Sequence, residues 1–139
     1  MADLSRLLSI VMLVVDFQVE VEMVGMVDFL GNSTGRYARE TAEALERIGC
    51  TSEAEILREI LRIAEGVGMT HAAIQAERSK LPVWTVTSFA ATHGPAWEEP
   101  ARAIEALGHQ IDCGQVLSQL ERWAADHEDD LRSDLERIA

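Results

Sequence analysis

The residue types that most often carry catalysis or bind metals are present, but their spacing does not match the sites that need them. Successive histidines are 22, 16 and 18 residues apart, so no two lie at i and i+4 on one helix face, where zinc ligands are often paired. These histidines are His71, His93, His109 and His127. Ser88, His93 and Asp112 have the residue types of a catalytic triad, but no G-x-S-x-G turn surrounds the serine. We therefore expect no metal or other cofactor and no catalytic residue, with a hydrolase as the alternative.

Acidic side chains are the residues whose arrangement has a functional interpretation. The chain has 24 acidic and 12 basic residues, for a net charge of −12. Asp126, Asp130 and Asp134 recur at i, i+4 and i+8, which places carboxylates along one helix face, about 5 to 6 Å apart at Cβ. That distance is similar to the spacing of backbone phosphates in a nucleic acid. The predicted partner-binding residues are the acidic ones of this stretch: Asp126, Glu128, Asp129, Asp130, Asp134 and Glu136.

Basic residues neutralise a second acidic row but leave this one charged. The row of Glu40, Glu43 and Glu46 is interleaved with arginines, at positions 36, 39 and 47. From Asp126 to Glu136, by contrast, six acidic residues accompany one basic residue, Arg132. The C-terminal stretch is therefore either a binding surface or a solvated face that only promotes solubility.

The strong negative charge restricts the possible partners. It works against direct binding to nucleic acids and to anionic membranes, and it favours basic proteins. The apolar run from Ile10 to Val15 ends at Asp16, well short of the roughly 20 residues that span a bilayer, and no signal-peptide pattern is present. Cys50 and Cys113 form no C-x-x-C pair and suit reduced thiols, so we expect a cytoplasmic protein.

Residues 1–139 suit a single domain, since a chain of this length buries a sizeable core without disulfides. Apolar residues recur at spacings of three and four through the first thirty residues, which predicts a helix with a break near Gly25. The predicted buried stripe is Leu8, Val11, Val15, Val19, Met23, Met26 and Leu30. Alternation at Phe17, Val19, Val21 and Met23 also permits a strand, and we favour the helix.

Turn and capping signals divide the remaining chain into further helices. The sequence GNSTG at 31–35 predicts a turn, and Gly49 a left-handed helix stop. Ser52 and Glu55 predict a capping box for a helix that ends at Gly66. Later helices are expected from Thr70 to about Lys80, from Glu99 to Gly108, and from about Gly114 onwards. The last stretch is either one helix or two helices divided within residues 126–130. The stretch from Leu81 to Gly94 is predicted to be an irregular loop. The fold class is therefore all-α, with about six helices around a buried N-terminal helix.

The segment from Val21 to Cys50 resembles the signature of the family named after DNA mimic protein 19, small bacterial domains that mostly have no assigned function. The signature runs approximately N-N-G-G-F-x-Q-F-F-x-N-S-x-G, followed by E-A-L-x-x-I-G-A. Its first half matches at Gly25, Phe29, Asn32, Ser33 and Gly35, and its second half at Glu43, Ala44, Leu45, Ile48 and Gly49. Glu22, Met23 and Val24 replace the opening Asn-Asn-Gly, and Gly31 stands where an aromatic residue is common. We interpret Gly25, Phe29, Asn32, Ser33, Gly35 and Gly49 as a structural motif, with a ligand-binding turn as the alternative.

Together these observations favour an acidic protein-interaction module. The resemblance implies a DNA mimic that binds the basic surface of a DNA-binding protein such as a transcription regulator. It also implies a homodimer, although a monomer stays open. Two other functions fit the sequence: a structural or small-ligand-binding domain that uses Asn32 and the loop from Leu81 to Gly94, and an immunity-type protein that binds a toxin.

Overall fold

The computed structural model describes residues 6–32, 34–79 and 95–138, and these residues form helices without a β-strand. The eight α-helices exceed the expected six because the N-terminal and C-terminal stretches are each divided in two. The helices are α1 (Leu7–Val24), α2 (Met26–Gly31), α3 (Ala38–Arg47), α4 (Thr51–Gly66), α5 (His71–Arg78), α6 (Pro95–Gly108), α7 (Cys113–Asp126) and α8 (Glu128–Ile138). A short 3-10 helix, Gly35–Tyr37, precedes α3. The predicted all-α class is confirmed, as is the break near Gly25. The C-terminal stretch, for which the sequence allowed one helix or two, forms two helices that are separated at His127.

Helix α1 packs against α2, α3, α7 and α8. Its core side is formed by Ile10, Leu13, Val14 and Phe17, all buried. Phe17 packs edge-to-face against Phe29 of α2, with the ring centroids 5.2 Å apart. The predicted stripe was wrong for most of α1, because Val15, Val19 and Met23 are 41%, 42% and 78% exposed. The helix is apolar on nearly every side, so periodicity alone does not specify which side is buried.

Helices α3 and α4 form an antiparallel hairpin. Gly49 ends α3 with φ of 97°, and Cys50 N–H donates to the Leu45 carbonyl at 2.8 Å, as expected for a left-handed helix stop. Helix α4 begins at Thr51, with Cys50 in the capping position and no side-chain cap. The predicted capping box at Ser52 is therefore wrong, because the tight turn after Gly49 places Ser52 already inside the helix. The predicted end at Gly66 is confirmed.

Helices α5 and α6 hold the two ends of α2. Thr70 caps α5 as predicted, accepting a hydrogen bond from Ala73 N–H at 3.1 Å. His71 Nδ1–H donates to the Leu30 carbonyl at 3.1 Å, so the start of α5 satisfies the end of α2. At the other end, Val27 N–H donates to the Glu105 carboxylate of α6 at 2.8 Å. Both α2 termini are therefore anchored by side chains from later in the chain.

Helix α6 begins at Pro95, a residue type favoured at the first helical position, rather than at the predicted Glu99. Pro100 consequently lies inside the helix. The predicted loop from Leu81 to Gly94 lies outside the described residues. Among the helices that the structure describes, none has the length and apolar character needed to cross a membrane.

Candidate functional site

The acidic residues near the C-terminus surround the junction between α7 and α8. Asp126 ends α7, His127 follows as its cap, and three acidic residues form the first turn of α8. We call Asp126, Glu128, Asp129 and Asp130 the acidic corner; all four are exposed. They line a shallow hollow of about 330 Å³ together with Ala125 and His127. The three carboxylates at the start of α8 also interact favourably with the positive end of the helix dipole.

His127 fixes the geometry of the acidic corner. Its imidazole stacks on the Trp123 indole, with ring centroids 4.4 Å apart and planes 25° apart. Its Nδ1–H donates to the Trp123 carbonyl at 2.8 Å. The His127 carbonyl in turn accepts from Leu131 N–H at 2.9 Å, which starts α8. The His127 side chain is thus fixed against the end of α7 while its backbone starts α8, and the carboxylates lie around a turn rather than along one helix face.

The predicted row of Asp126, Asp130 and Asp134 is therefore not continuous. Asp126 belongs to α7, and the break at His127 separates it from the other two. Asp134 is only 8% exposed, and its carboxylate accepts a hydrogen bond from Leu8 N–H, in the first turn of α1, at 3.2 Å. It satisfies one of the N–H groups that every helix start leaves unpaired. Placing Asp134 on an exposed partner-binding surface was wrong, because it lies between α8 and α1.

The other acidic residues differ in whether a nearby basic side chain neutralises their charge. Glu128 is paired with Arg132 at 2.9 Å, an exposed bond one helical turn apart that is worth little in stability but reduces the local charge. Glu136 is exposed near the end of α8, away from the corner. Asp126, Asp129 and Asp130 consequently supply most of the exposed negative charge at the α7–α8 junction.

The described residues of the predicted structural motif hold α2 in place. Gly25 has φ of 89° between α1 and α2, a conformation that favours glycine. Phe29 is fully buried, and the Asn32 amide donates to the Glu20 carboxylate of α1. Ser33 lies outside the described residues. These contacts explain why such residue types occur here without requiring a ligand.

Gly35 has a different role from the one expected of a turn glycine. Its φ is not positive; instead, a Cβ at this position would lie 2.1 Å from the Phe29 carbonyl oxygen and 2.5 Å from that of Leu30. Glycine is needed because the chain passes directly against the end of α2. The sequence correctly identified Gly35 as structurally important. It could not show the reason, because a contact between two backbone segments produces no local sequence pattern.

The histidines and cysteines that the structure describes lie apart from one another or are buried. In residues 6–32, 34–79 and 95–138, no three His, Cys, Asp or Glu side chains are placed to hold a metal ion. His93 and Ser88 lie outside these ranges. Burial raises the pKa of the Cys50 thiol to about 11, with nearby Glu53 adding to the effect. Burial likewise raises the pKa of Cys113, beside Glu22 and Asp112. Both thiols are therefore poor nucleophiles at neutral pH.

The side of α1 that faces away from the core presents apolar side chains to solvent. Met12, Val15, Val19 and Met23 are 44%, 41%, 42% and 78% exposed. Their spacings of three and four place them on one side of the helix, which we call the α1 face. Neighbouring Val24 is also exposed. Sequence reasoning found these residues but assigned several of them to the core.

A comparison with protein families matches residues 2–127 to the family described as DMP19-like protein. The chain belongs to this family. Comparisons with curated proteins and with solved structures gave no match. The DMP19-like match includes α1 to α7 but stops before α8, so most of the acidic corner lies outside it. Membership in the DMP19-like family therefore accounts for the motif around α2 and leaves the charge of α8 to be interpreted from this chain.

Proposed function

We propose that this DMP19-like protein is a cytoplasmic binding module rather than an enzyme, and that it acts as a DNA mimic toward a basic DNA-binding protein. The observation that carries the proposal is the exposed acidic corner on a chain with a net charge of −12. Carboxylates around an ordered turn attract the arginine and lysine side chains that otherwise contact DNA phosphates. The family relationship supports the same function.

The experiment compares two variants that remove equal charge from different places. The test variant changes Asp126, Asp129 and Asp130 to Asn, and the control changes the exposed Glu43, Glu55 and Glu99 to Gln. Both variants lose three negative charges, so net charge alone affects them equally. Each protein is used to capture partners from bacterial lysate at low and high salt, and the captured proteins are identified.

We expect the wild type and the control variant to retain a DNA-binding protein at low salt, and the test variant to lose it. Higher salt should weaken capture, because screening reduces attraction between exposed charges. Duplex DNA should displace the protein if both occupy one basic surface. A partner retained by the test variant would reject the acidic corner, and a partner that DNA does not displace would favour a toxin-binding function. With no basic partner at low salt, the structural or small-ligand alternative is preferred.

We also propose that two copies associate through the α1 face, giving a homodimer. The four defining residues of this face carry no charge, so two acidic chains can meet there with less repulsion than elsewhere. A helix that is apolar on both sides is ordinarily covered on both sides. Contact with a second copy would remove the exposed methionine and valine side chains from water.

The oligomeric state tests this proposal directly. Light scattering after gel filtration at micromolar concentration should give the mass of a dimer for the wild type. Changing Val15 and Val19 together to Gln should give a monomer that keeps its helical content, because both side chains already contact solvent. Val67→Gln is the matched control, since Val67 is 40% exposed but follows α4. A monomeric wild type would contradict the proposal.

A further inference from the structure

Two adjoining hollows lie along the α3–α4 hairpin and form one groove. The first, of about 130 Å³, is lined by Arg36 and Arg39, with Thr70 and His71 at the start of α5. The second, of about 350 Å³, is lined by Arg39, Arg58 and Arg62. Leu61 and Glu65 are common to both hollows. We call this combined feature the arginine groove.

The arginine groove differs in charge from the rest of the chain. Among the described residues that line it, four are arginines and one, Glu65, is acidic. Two of the arginines also pair with carboxylates beside the groove, Arg58 with Glu46 at 3.0 Å and Arg62 with Glu59 at 2.5 Å. Four of the twelve basic residues of a strongly acidic protein thus border one concave surface. The α5 N-terminus, which opens into the first hollow, adds the partial positive charge of a helix start. Arginines and a helix N-terminus would not attract a basic partner, so the groove needs a different explanation.

The side chains of the groove also have the geometry to bind an anion. Arg39 already donates to the Glu65 carboxylate, so a negatively charged oxygen is accommodated at this position. The Arg36 guanidinium lies over the Tyr37 ring, 4.8 Å from its centre, and this contact restrains the side chain at the edge of the first hollow. Guanidinium groups have five N–H donors each, and a single carboxylate uses only some of those of Arg39.

We propose that the arginine groove binds a small phosphorylated molecule, with one phosphate group in the first hollow between Arg36 and Arg39. A volume of 130 Å³ is equivalent to about four water molecules in the liquid, which suits one phosphate group. Arg58 and Arg62 then exchange their contacts with Glu46 and Glu59 for a second anionic group of the same ligand. The ligand is small because the first hollow has little space, and the apolar Leu61 lines both hollows.

The overall charge of −12 does not prevent such binding. Exposed charges farther apart than about 8 Å are largely screened at physiological ionic strength. The acidic corner is on α7 and α8, whereas the groove is on α3 and α4. The carboxylates that compete most directly with the ligand are therefore Glu65, Glu46 and Glu59, which pair with Arg39, Arg58 and Arg62.

The test is a titration of the 15N-labelled wild type with inorganic phosphate and, separately, with pyrophosphate, at constant ionic strength set with chloride. We expect saturable shifts of the Gly35, Arg39 and His71 backbone amides, and tighter binding of pyrophosphate because it reaches both hollows. Changing Arg36 and Arg39 together to Gln should weaken phosphate binding at least about tenfold, since each removes a charge-assisted hydrogen bond. Changing Arg58 and Arg62 together to Gln should remove the preference for pyrophosphate.

Two further variants distinguish the groove from nonspecific charge. Arg102→Gln is the matched control, because Arg102 is an exposed arginine paired with a glutamate on α6, Glu98. It should bind both anions as the wild type does. Arg39→Lys keeps the charge but loses the planar fork, so it should bind more weakly than the wild type. If the wild type shows no saturable shifts up to about 20 mM phosphate, its affinity is far weaker than is usual for a specific small ligand, and the proposal is overturned. Equal weakening by Arg102→Gln would overturn it as well.

Discussion

Replacing Gly35 with alanine should destabilise the protein because a side chain would collide with the backbone at the end of α2. The added Cβ would lie 2.1 Å from the Phe29 oxygen and 2.5 Å from the Leu30 oxygen. Both oxygens belong to the main chain and cannot rotate away, so the two segments must separate by about 1 Å. Overpacking of this kind costs about 1 to 3 kcal/mol.

The separation also strains hydrogen bonds that use the same two oxygens. Asn32 N–H donates to the Phe29 carbonyl at 3.1 Å, and His71 Nδ1–H donates to the Leu30 carbonyl at 3.1 Å. Weakening both of these hydrogen bonds adds roughly 1 kcal/mol to the loss of stability. We therefore expect a total loss of about 3 kcal/mol in the free energy of unfolding. At about 3 °C for each kcal/mol in a chain of this size, the Tm should fall by about 9 °C.

Two other glycines separate this contact from the general effects of adding a methyl group. At Gly66, a methyl group would have no atom within 4 Å and φ is not positive, so Gly66→Ala should be neutral or stabilising by about 0.5 kcal/mol. Gly68 is equally open but has φ of 74°, so Gly68→Ala should cost about 1 kcal/mol. Thermal unfolding followed by circular dichroism should rank Gly66→Ala highest and Gly35→Ala lowest. A Tm for Gly35→Ala within 2 °C, roughly, of the wild type would refute the steric argument.

Two further predictions concern side chains whose roles the fold determines. Asp134→Ala should lower the free energy of unfolding by about 1 to 2 kcal/mol, because the N–H of Leu8 loses its buried acceptor. The exposed Glu136→Ala is the control and should change the free energy of unfolding by less than about 0.5 kcal/mol. Urea unfolding measures both variants, and equal effects would contradict the capping role. Cys50 in the native protein should react with iodoacetamide at pH 8 about a hundredfold more slowly than an ordinary thiol, because its pKa is raised from 9.0 to about 11. Mass spectrometry of peptides alkylated with and without urea measures this difference, and rapid native labelling would contradict it.

The sequence predicted the helices better than it predicted their faces and caps. Gly25, Gly49 and Thr70 mark helix ends through local backbone chemistry, which neighbouring residues largely determine, and all three were located correctly. The buried side of α1 was not, because apolar residues occur around nearly the whole helix and the choice depends on where α3 and α7 pack. The capping box at Ser52 failed for a similar reason: the turn set by Gly49 places the cap at Cys50, so the helix begins two residues earlier than predicted.

Long-range contacts also changed the interpretation of the candidate site. Asp134 has the spacing of an exposed row, but its contact with Leu8 joins residues 126 positions apart in the chain. No local pattern indicates that the first turn of α1 will need a carboxylate from α8. The arginine groove was missed likewise, because its residues come from helices that the sequence treats separately. Charge spacing therefore located the acidic residues without showing which of them are accessible.

The geometry of the acidic corner affects what mimicry can mean for this protein. With Asp134 buried and Glu128 paired to Arg132, the exposed carboxylates lie around a turn instead of along a line that follows successive phosphates. Binding to a basic protein would then depend on local electrostatic attraction more than on reproducing the regular phosphate spacing of DNA. In the proposed homodimer, pairing through α1 leaves each acidic corner on its own α7–α8 junction, so one assembly offers two of them. A dimeric transcription regulator could engage both corners at once, and the gain in affinity would then come from linking two weak contacts.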